Sequence, residues 1–254
     1  LYKKLMGDLA SNIKEAAKLI NESKSTNAFT GAGISVESGI PPFRGEEGLW
    51  SKYDPIILDI NYFQANPEAS WRVIKEIFYD FFGAAKPNKA HDVLARMEKE
   101  KLLNSIITQN IDNLHQEAGS KNIYEFHGNS QKLICMLTGK SYGVDEVNLN
   151  KIPPRSEETG GLLKPDFIFF GEGIPQDAYN NSFDAARNSE VLIIVGTTGE
   201  VMPASQVPII AKQNGAKIIE VNLDPSNYTN NVTDIFLQGK ATEIMEKLEI
   251  EIFK

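Results

Sequence analysis

One cysteine stands in 254 residues, and Cys135 alone can form neither an internal disulfide nor a thiolate metal site. No apolar run approaches the ~20 residues needed to cross a bilayer, so no membrane partner is expected. The segment from Leu1 to Lys24 reads as a polar amphipathic helix without the apolar core of a signal peptide. A cytoplasmic protein is the expectation. Positive charge is also short: 26 Lys and Arg stand against 34 Asp and Glu, a net charge of −8. General affinity for nucleic-acid backbones needs a basic face and is excluded. An acidic surface would instead attract lysine-rich protein segments. Only three histidines are present, His91, His115 and His127, so imidazole chemistry has few candidates.

What is present is ordinary for a globular chain, with 41% hydrophobic and 24% charged residues. The pattern alternates helices with short apolar strands. Residues 8–22 place Leu9, Ile13, Ala16, Ala17 and Ile20 on one helical face. A short strand over residues 27–30 runs into Gly31-Ala32-Gly33, residues 67–82 and 88–100 read as helices, and residues 103–108 as a strand. EVLIIVG (190–196) and AKIIEVN (216–222) are the clearest buried strands, joined by a helix over residues 204–213. Repeated βαβ units predict an α/β fold, a Rossmann-like parallel sheet with helices on both faces. Two stretches break the alternation: a helical insertion from residue 45 to 85 and an irregular, Gly/Pro/Ser-rich segment around 130–165. Both are assigned to a small lobe. The large part is then about 1–44, 86–130 and 164–254, and the lobe about 45–85 and 131–163.

GAGISVESGIPPFRG (31–45) follows a strand, where an open α/β sheet carries its phosphate-binding turn. Gly31 and Gly33 let the backbone approach a pyrophosphate, and the N-terminus of a following helix would stabilise its charge. Val36 occupies the place of the third glycine of the dehydrogenase fingerprint, which argues against hydride transfer. Phe43 and Arg44, on a proline-held loop, are candidates to cover a sugar face and pair with phosphate. A second motif, TQNIDNLHQEAG (108–119), lies past another strand end. Its Gln109, Asn110, Asp112, Asn113 and His115 are too dense for a simple turn. Asn110 and Asp112 suit recognition of a carboxamide and ordering of a water. His127, in Phe126-His127-Gly128, is the general-base candidate, its ordinary pKa of roughly 6.5 suiting proton removal near neutrality. His91 and His115 read as structural.

Together these motifs resemble the sirtuin family, and the likeness extends over roughly residues 8–248. GAGIS, SGIP-FRG, TQNID-LH and HG stand in the family's order and spacing. KPDFIFFGE (164–172) is similar to its substrate strand, Gly196-Thr197-Thr198 to its ribose-binding GTS, and Glu220-Val221-Asn222 to its strand ending in an adenosine-contacting Asn. The resemblance implies a single catalytic domain over 1–254 that uses NAD as co-substrate to remove acyl groups from lysine, yielding nicotinamide and O-acyl-ADP-ribose. It implies that Gly31, Ala32 and Gly33 face the pyrophosphate, with Phe43 and Arg44 beside them. Gly196, Thr197, Thr198, Asn222 and Ala241 would surround the adenosine half, while Gln109, Asn110, Ile111 and Asp112 hold the nicotinamide end. The acyl-lysine would enter between Phe43 and Phe170, its peptide pairing with Ile168, Phe170, Gly171 and Val201. By the same resemblance its carbonyl oxygen would attack C1′ of the nicotinamide ribose, and His127 would serve as base on the ribose hydroxyls.

Two departures matter. The family's zinc ligands are two CxxC pairs, yet the matching positions here are Cys135, Thr138, Ser156 and Thr159. One thiolate with three hydroxyls predicts no zinc, a site of no metal at all. Family members that prefer succinyl or malonyl groups carry a Tyr and an Arg three residues apart. Here Tyr79 is followed by Phe82, which points to acetyl or longer apolar acyl groups. Two other functions stay open on these residues: protein mono-ADP-ribosyl transfer, and a catalytically weak NAD-binding module.

Overall fold

The structure is a computed structural model and describes residues 8–43, 45 and 48–254. Helix α1 (Leu9–Glu22) precedes strand β1 (Thr26–Thr30), followed by helices α2 (Ile60–Ala65), α3 (Pro67–Ile74) and α4 (Lys89–Lys99). Strand β2 (Ser105–Thr108), helix α5 (Leu114–Glu117) and strands β3 (Ile123–Glu125), β4 (Gly128–Cys135), β5 (Ser141–Gly143) and β6 (Leu163–Phe167) come next. Then come α6 (Gln176–Arg187), β7 (Val191–Val195), α7 (Gln206–Gln213), β8 (Lys217–Asn222), β9 (Ile235–Gln238) and α8 (Ala241–Ile252).

Six strands form one parallel sheet in the order β3-β2-β1-β7-β8-β9. Its central strands β1 and β7 are buried throughout because both faces of the sheet are covered. Along β7, Val191, Ile193 and Val195 point into one core with α1, α4 and α8, while Leu192 and Ile194 point into the other with α6 and α7. The spacing of Ile13, Ala16, Ala17 and Ile20 puts all four on the buried side of α1. Asn88 caps α4, its side chain accepting from Ala90 N at 2.9 Å. The chain runs outward from β1 to β3 on one side and from β7 to β9 on the other. The strand order therefore reverses between β1 and β7, and a crevice opens at their carboxyl ends. Among the described residues no helix is long and apolar enough to cross a membrane.

The segment expected to be irregular around 130–165 contains a second sheet, antiparallel, in the order β5-β4-β6. Its strands are short, and β4 buries Asn129, Ser130, Leu133 and Cys135 without a regular alternation, so no apolar run betrays it. Pairing across some thirty residues supplies what local pattern does not. This sheet and the insertion share a core around Trp71, Phe78, Leu133, Cys135 and Phe167, with Trp71 Nε1 donating to Leu163 O at 2.8 Å. The helix expected over residues 67–82 is α-helical only to Ile74 and continues as a π-helix over Lys75–Phe81. Lys75 Nζ reaches both carboxylate oxygens of Asp80 at 2.7 Å, an i,i+5 pair suited to the wider turn. Likewise the segment after Gly31 is a seven-residue 3-10 helix, Ala32–Ser38, and gives no α-helix N-terminus to a pyrophosphate.

Candidate active site

Two glycine turns meet back to back in the crevice. Gly33 N donates to Gly196 O at 2.8 Å, and Gly31 N donates to Val195 O at 3.0 Å. A β-carbon on Gly33 would lie 2.6 Å from Gly196 Cα, so only glycine permits this approach. Gly196 has φ +66, and a β-carbon there would lie 2.3 Å from Ile34 N. The contact holds the ends of β1 and β7 together and forms the floor of a cavity of about 780 Å³.

The cavity gathers nearly every residue that the sequence singled out. Gly31, Ala32, Gly33, Gly196, Thr197 and Thr198 line one part, with Asn222 and Ala241 beyond them. Gln109, Asn110, Ile111 and His127 line the middle. Phe43, Ile168, Phe170, Gly171 and Val201 line the other end, joined by Trp50 and Leu58. Arg44 lies outside the described residues. Asp112 does not line the cavity and stands behind its wall.

Hydrogen bonds decide which atoms face inward. Asn110 Nδ2 donates to Gly31 O at 3.1 Å and to Ser35 Oγ at 3.3 Å, which turns its carbonyl oxygen toward the cavity. Ser35 Oγ in turn donates to Asp112 Oδ2 at 2.7 Å, and Leu114 N donates to Asp112 Oδ1 at 3.0 Å. Burial pushes the Asp112 carboxyl up from its ordinary range, against the lowering effect of those bonds. His91 Nδ1 accepts from Asn88 N at 3.2 Å, so its proton sits on Nε2, 3.4 Å from Ser35 Oγ. Ser35 thus receives from Asn110 and His91 and has its own proton left for Asp112. Sequence reasoning passed over Ser35, although it stands within GAGIS. His91 and His115 are both buried, with ring centres 4.9 Å apart.

His127 lies beside a carbonyl that fixes its tautomer. Its Nδ1 lies 3.1 Å from Gln109 O, an acceptor, so Nδ1 carries the proton and Nε2 keeps the basic lone pair. Burial holds the imidazole below its ordinary pKa, with the Gln109 bond opposing, so the ring is neutral at neutral pH. Gln109 Nε2 donates to Thr197 Oγ1 at 3.1 Å and ties this wall to the glycine turns.

At the apolar end, Phe170 is half exposed at the rim, and its backbone bridges to the insertion through Phe170 N to Leu58 O at 2.8 Å. Beneath it the buried Lys164 ammonium contacts Glu172 at 3.0 Å and lies over the Phe169 ring. Tyr79 faces away, donating its hydroxyl to Ser130 O at 3.0 Å and stacking on Trp71. Among the described residues the one lysine or arginine in the cavity wall is Lys240, which stands beside Ala241.

The four positions matching zinc ligands lie on two turns of the antiparallel sheet, where their hydroxyls are taken up by other groups, Thr138 Oγ1 accepting from Lys140 N at 3.3 Å. Ser156 Oγ bonds Tyr142 OH at 2.9 Å and accepts from Thr159 N at 3.3 Å. Thr159 Oγ1 accepts from Gly161 N at 3.3 Å and lies 3.7 Å from Cys135 Sγ. Lys140 pairs with Glu158 across the turns. One thiol and three satisfied hydroxyls do not fit a zinc ion.

Comparison with known proteins gives this arrangement its context. The Sir2 family model matches residues 31–203. An NAD-dependent protein deacylase of Aeropyrum pernix is 43% identical over 246 residues, covering 92% of this chain and 95% of its own. NAD-dependent protein deacetylase 1 of Pyrobaculum aerophilum is 42% identical over 238 residues, covering 93% of each. Among solved structures, a Sir2–p53 peptide–NAD+ complex superposes with a TM-score of 0.87 at 36% identity, covering 94% of this chain and 98% of that one. A complex of a Sir2 homologue mutant with ADP-ribose gives 0.88 at 38% identity, covering 94% and 96%. The chain belongs to the Sir2 family.

Proposed function

We infer that the chain is an NAD-dependent protein lysine deacylase. The observation that carries this reading is His127, whose Nδ1 is bonded to Gln109 O and whose Nε2 is thereby left as the basic atom, in a cavity that Asn110 also lines. NAD supplies a ribose carbon made electrophilic by its bond to nicotinamide. Asn110, oriented by Ser35, accepts from a carboxamide, and Asp112 acts through Ser35 to hold it there. Thr197, Thr198, Asn222 and Ala241 bound the adenosine half, and Gly31, Ala32 and Gly33 the pyrophosphate. Phe43 and Phe170 flank the acyl-lysine and exclude water, so that positioning supplies much of the rate. His127 Nε2 accepts a ribose hydroxyl proton, contributing on the order of 10²–10⁴ in rate.

The acyl group is acetyl or a longer apolar chain. Among the described residues the acyl end is walled by Phe43, Trp50, Phe167 and Phe169, with no cation beside them to meet an acyl carboxylate. The protein works without zinc: the four ligand positions offer one thiol and three hydroxyls, and the hydroxyls are drawn into hydrogen bonds of their own. Its substrates are lysine-acylated proteins rather than nucleic acids. NAD, its co-substrate, is an intracellular metabolite, and we place the enzyme in the cytoplasm.

The test compares acetyl-lysine and succinyl-lysine peptides of one sequence with wild type and His127→Ala, products read by mass spectrometry. Acetyl removal at least tenfold above succinyl removal, lost in the variant, is expected. Equal rates on both acyl groups would sink the specificity assignment. ADP-ribose attached to protein, with the acetyl-lysine intact, would favour transferase chemistry instead.

A further inference from the structure

Glu220 is a charged residue in the middle of the buried strand β8, with no exposed surface. An isolated buried carboxylate is strongly disfavoured, so whatever satisfies it is held firmly. Lys217, at the head of the same strand, pairs with Asp234 and not with Glu220. The carboxylate is met by hydroxyls and one amide. Oε1 accepts from Ser226 Oγ at 2.6 Å, Asn222 Nδ2 at 2.9 Å and Thr229 Oγ1 at 3.0 Å. Oε2 accepts from Thr229 Oγ1 at 3.0 Å and from Thr233. The loop after β8 is thus wound around one buried charge.

We infer that Glu220 is a positioning residue for the adenosine half of the cavity, acting through Asn222 and the loop that follows. This rests on the reading of the site as an NAD site. The two amide protons of Asn222 go to Thr197 O at 3.0 Å and to Glu220 Oε1. Its carbonyl oxygen is therefore presented to the cavity as an acceptor for a ribose hydroxyl or an adenine amine. Without the carboxylate one amide proton loses its partner, and nothing fixes the flip of the amide group. The same charge holds Ser226 and Thr229, so that Asn227 N reaches Thr198 O at 3.0 Å and the Tyr228 ring packs over Gly199. Two walls of the adenosine side, Asn222 and Thr197-Thr198, are tied to one group that never touches the ligand.

Geometry predicts how replacements rank. Glu220→Gln keeps an acceptor at Oε1, while the Thr233 hydroxyl can reverse to accept from the new amide. Glu220→Met fills the same space with no acceptor, and Glu220→Asp keeps the charge but withdraws it from Asn222 by one methylene. Binding of ADP-ribose is measured by calorimetry for all four proteins, with thermal midpoints and separate KM values for NAD and acetyl-peptide. Met and Asp are expected to weaken ADP-ribose binding and raise the NAD KM by roughly tenfold, the loss of a charge-assisted hydrogen bond. Gln should stay within about twofold, and the peptide KM should hold in all variants. If Glu220→Met does not fold, Glu220→Asp carries the comparison. Unchanged ADP-ribose affinity in the Met or Asp variant, whatever its midpoint, overturns the inference. So does a Gln variant as weak as Met. A wild-type protein that binds no ADP-ribose would overturn the reading of the site itself, and this inference with it.

Discussion

Acidification should destabilise this protein through His91, and the size of the effect can be worked from its surroundings. The ring has no exposed surface and receives Asn88 N on Nδ1. Burial pushes its pKa down to about 4, against an ordinary 6.5. Between those values the unfolded chain binds a proton that the folded chain refuses, so stability falls as pH falls from 6.5 toward 4. At ~1.4 kcal/mol per pH unit this is about 2 kcal/mol between pH 7.5 and 5, and about 3 by pH 4. His115 adds to the same trend, held well below its ordinary pKa by burial and by the neighbouring His91. The assay is urea unfolding followed by the fluorescence of the buried Trp71, for wild type and His91→Gln, in steps from pH 7.5 to 5. At neutral pH the variant should be the less stable protein, having lost the contacts to Asn88 and Ser35. The difference should shrink by about 2 kcal/mol as pH falls to 5. Two curves that fall in parallel would refute the reasoning, since His91 would then carry the same proton folded and unfolded.

His127 is also held below its ordinary pKa by burial, so the acid limb of turnover for the free enzyme should fall below pH 6.5. A limb at pH 7 or above in kcat/KM would contradict this. Gly33→Ala places a methyl group 2.6 Å from Gly196 Cα. Overpacking of about 1–3 kcal/mol should lower the melting midpoint by roughly 2–10 °C, and ADP-ribose binding should weaken with it. A midpoint and affinity equal to wild type would show that the two turns are not in contact. Exhaustive chelation should leave both melting midpoint and deacylation unchanged, and elemental analysis of the purified protein should find no stoichiometric zinc; a drop of several degrees on chelation would show a structural metal.

The parts of the fold legible in the sequence are those where burial on two faces leaves a continuous apolar run. β7 and β8 read directly in this way, β1 was placed by the Gly31-Ala32-Gly33 turn it runs into, and α1 and α4 were marked by their apolar spacing. Of the antiparallel sheet, β6 was reached only through the resemblance of KPDFIFFGE to a substrate strand, and β4 and β5 were not legible. The sheet is made of short, half-polar strands whose partners lie far apart in the chain, and propensity is blind to such pairing. The π-helical stretch Lys75–Phe81 escaped because its apolar residues also fit an α-helical period. Within the site, residue types at strand ends located Asn110 and His127, and the family resemblance located Thr197. They did not tell that Asp112 stands behind Ser35, a contact between residues 77 apart that only the fold creates. Glu220 had a signal: a lone acidic residue between Ile219 and Val221 in the apolar centre of AKIIEVN. A buried carboxylate there demanded partners, but sequence alone does not name them.

The most direct test of the central claim is the stoichiometry of one reaction, purified protein with NAD and an acetyl-lysine peptide, products quantified by mass spectrometry. The account predicts nicotinamide, deacetylated peptide and O-acetyl-ADP-ribose in equal amounts, with no deacetylation when NAD is omitted. Deacetylation that proceeds without NAD and releases free acetate, or nicotinamide release with the acetyl group left in place, would contradict it.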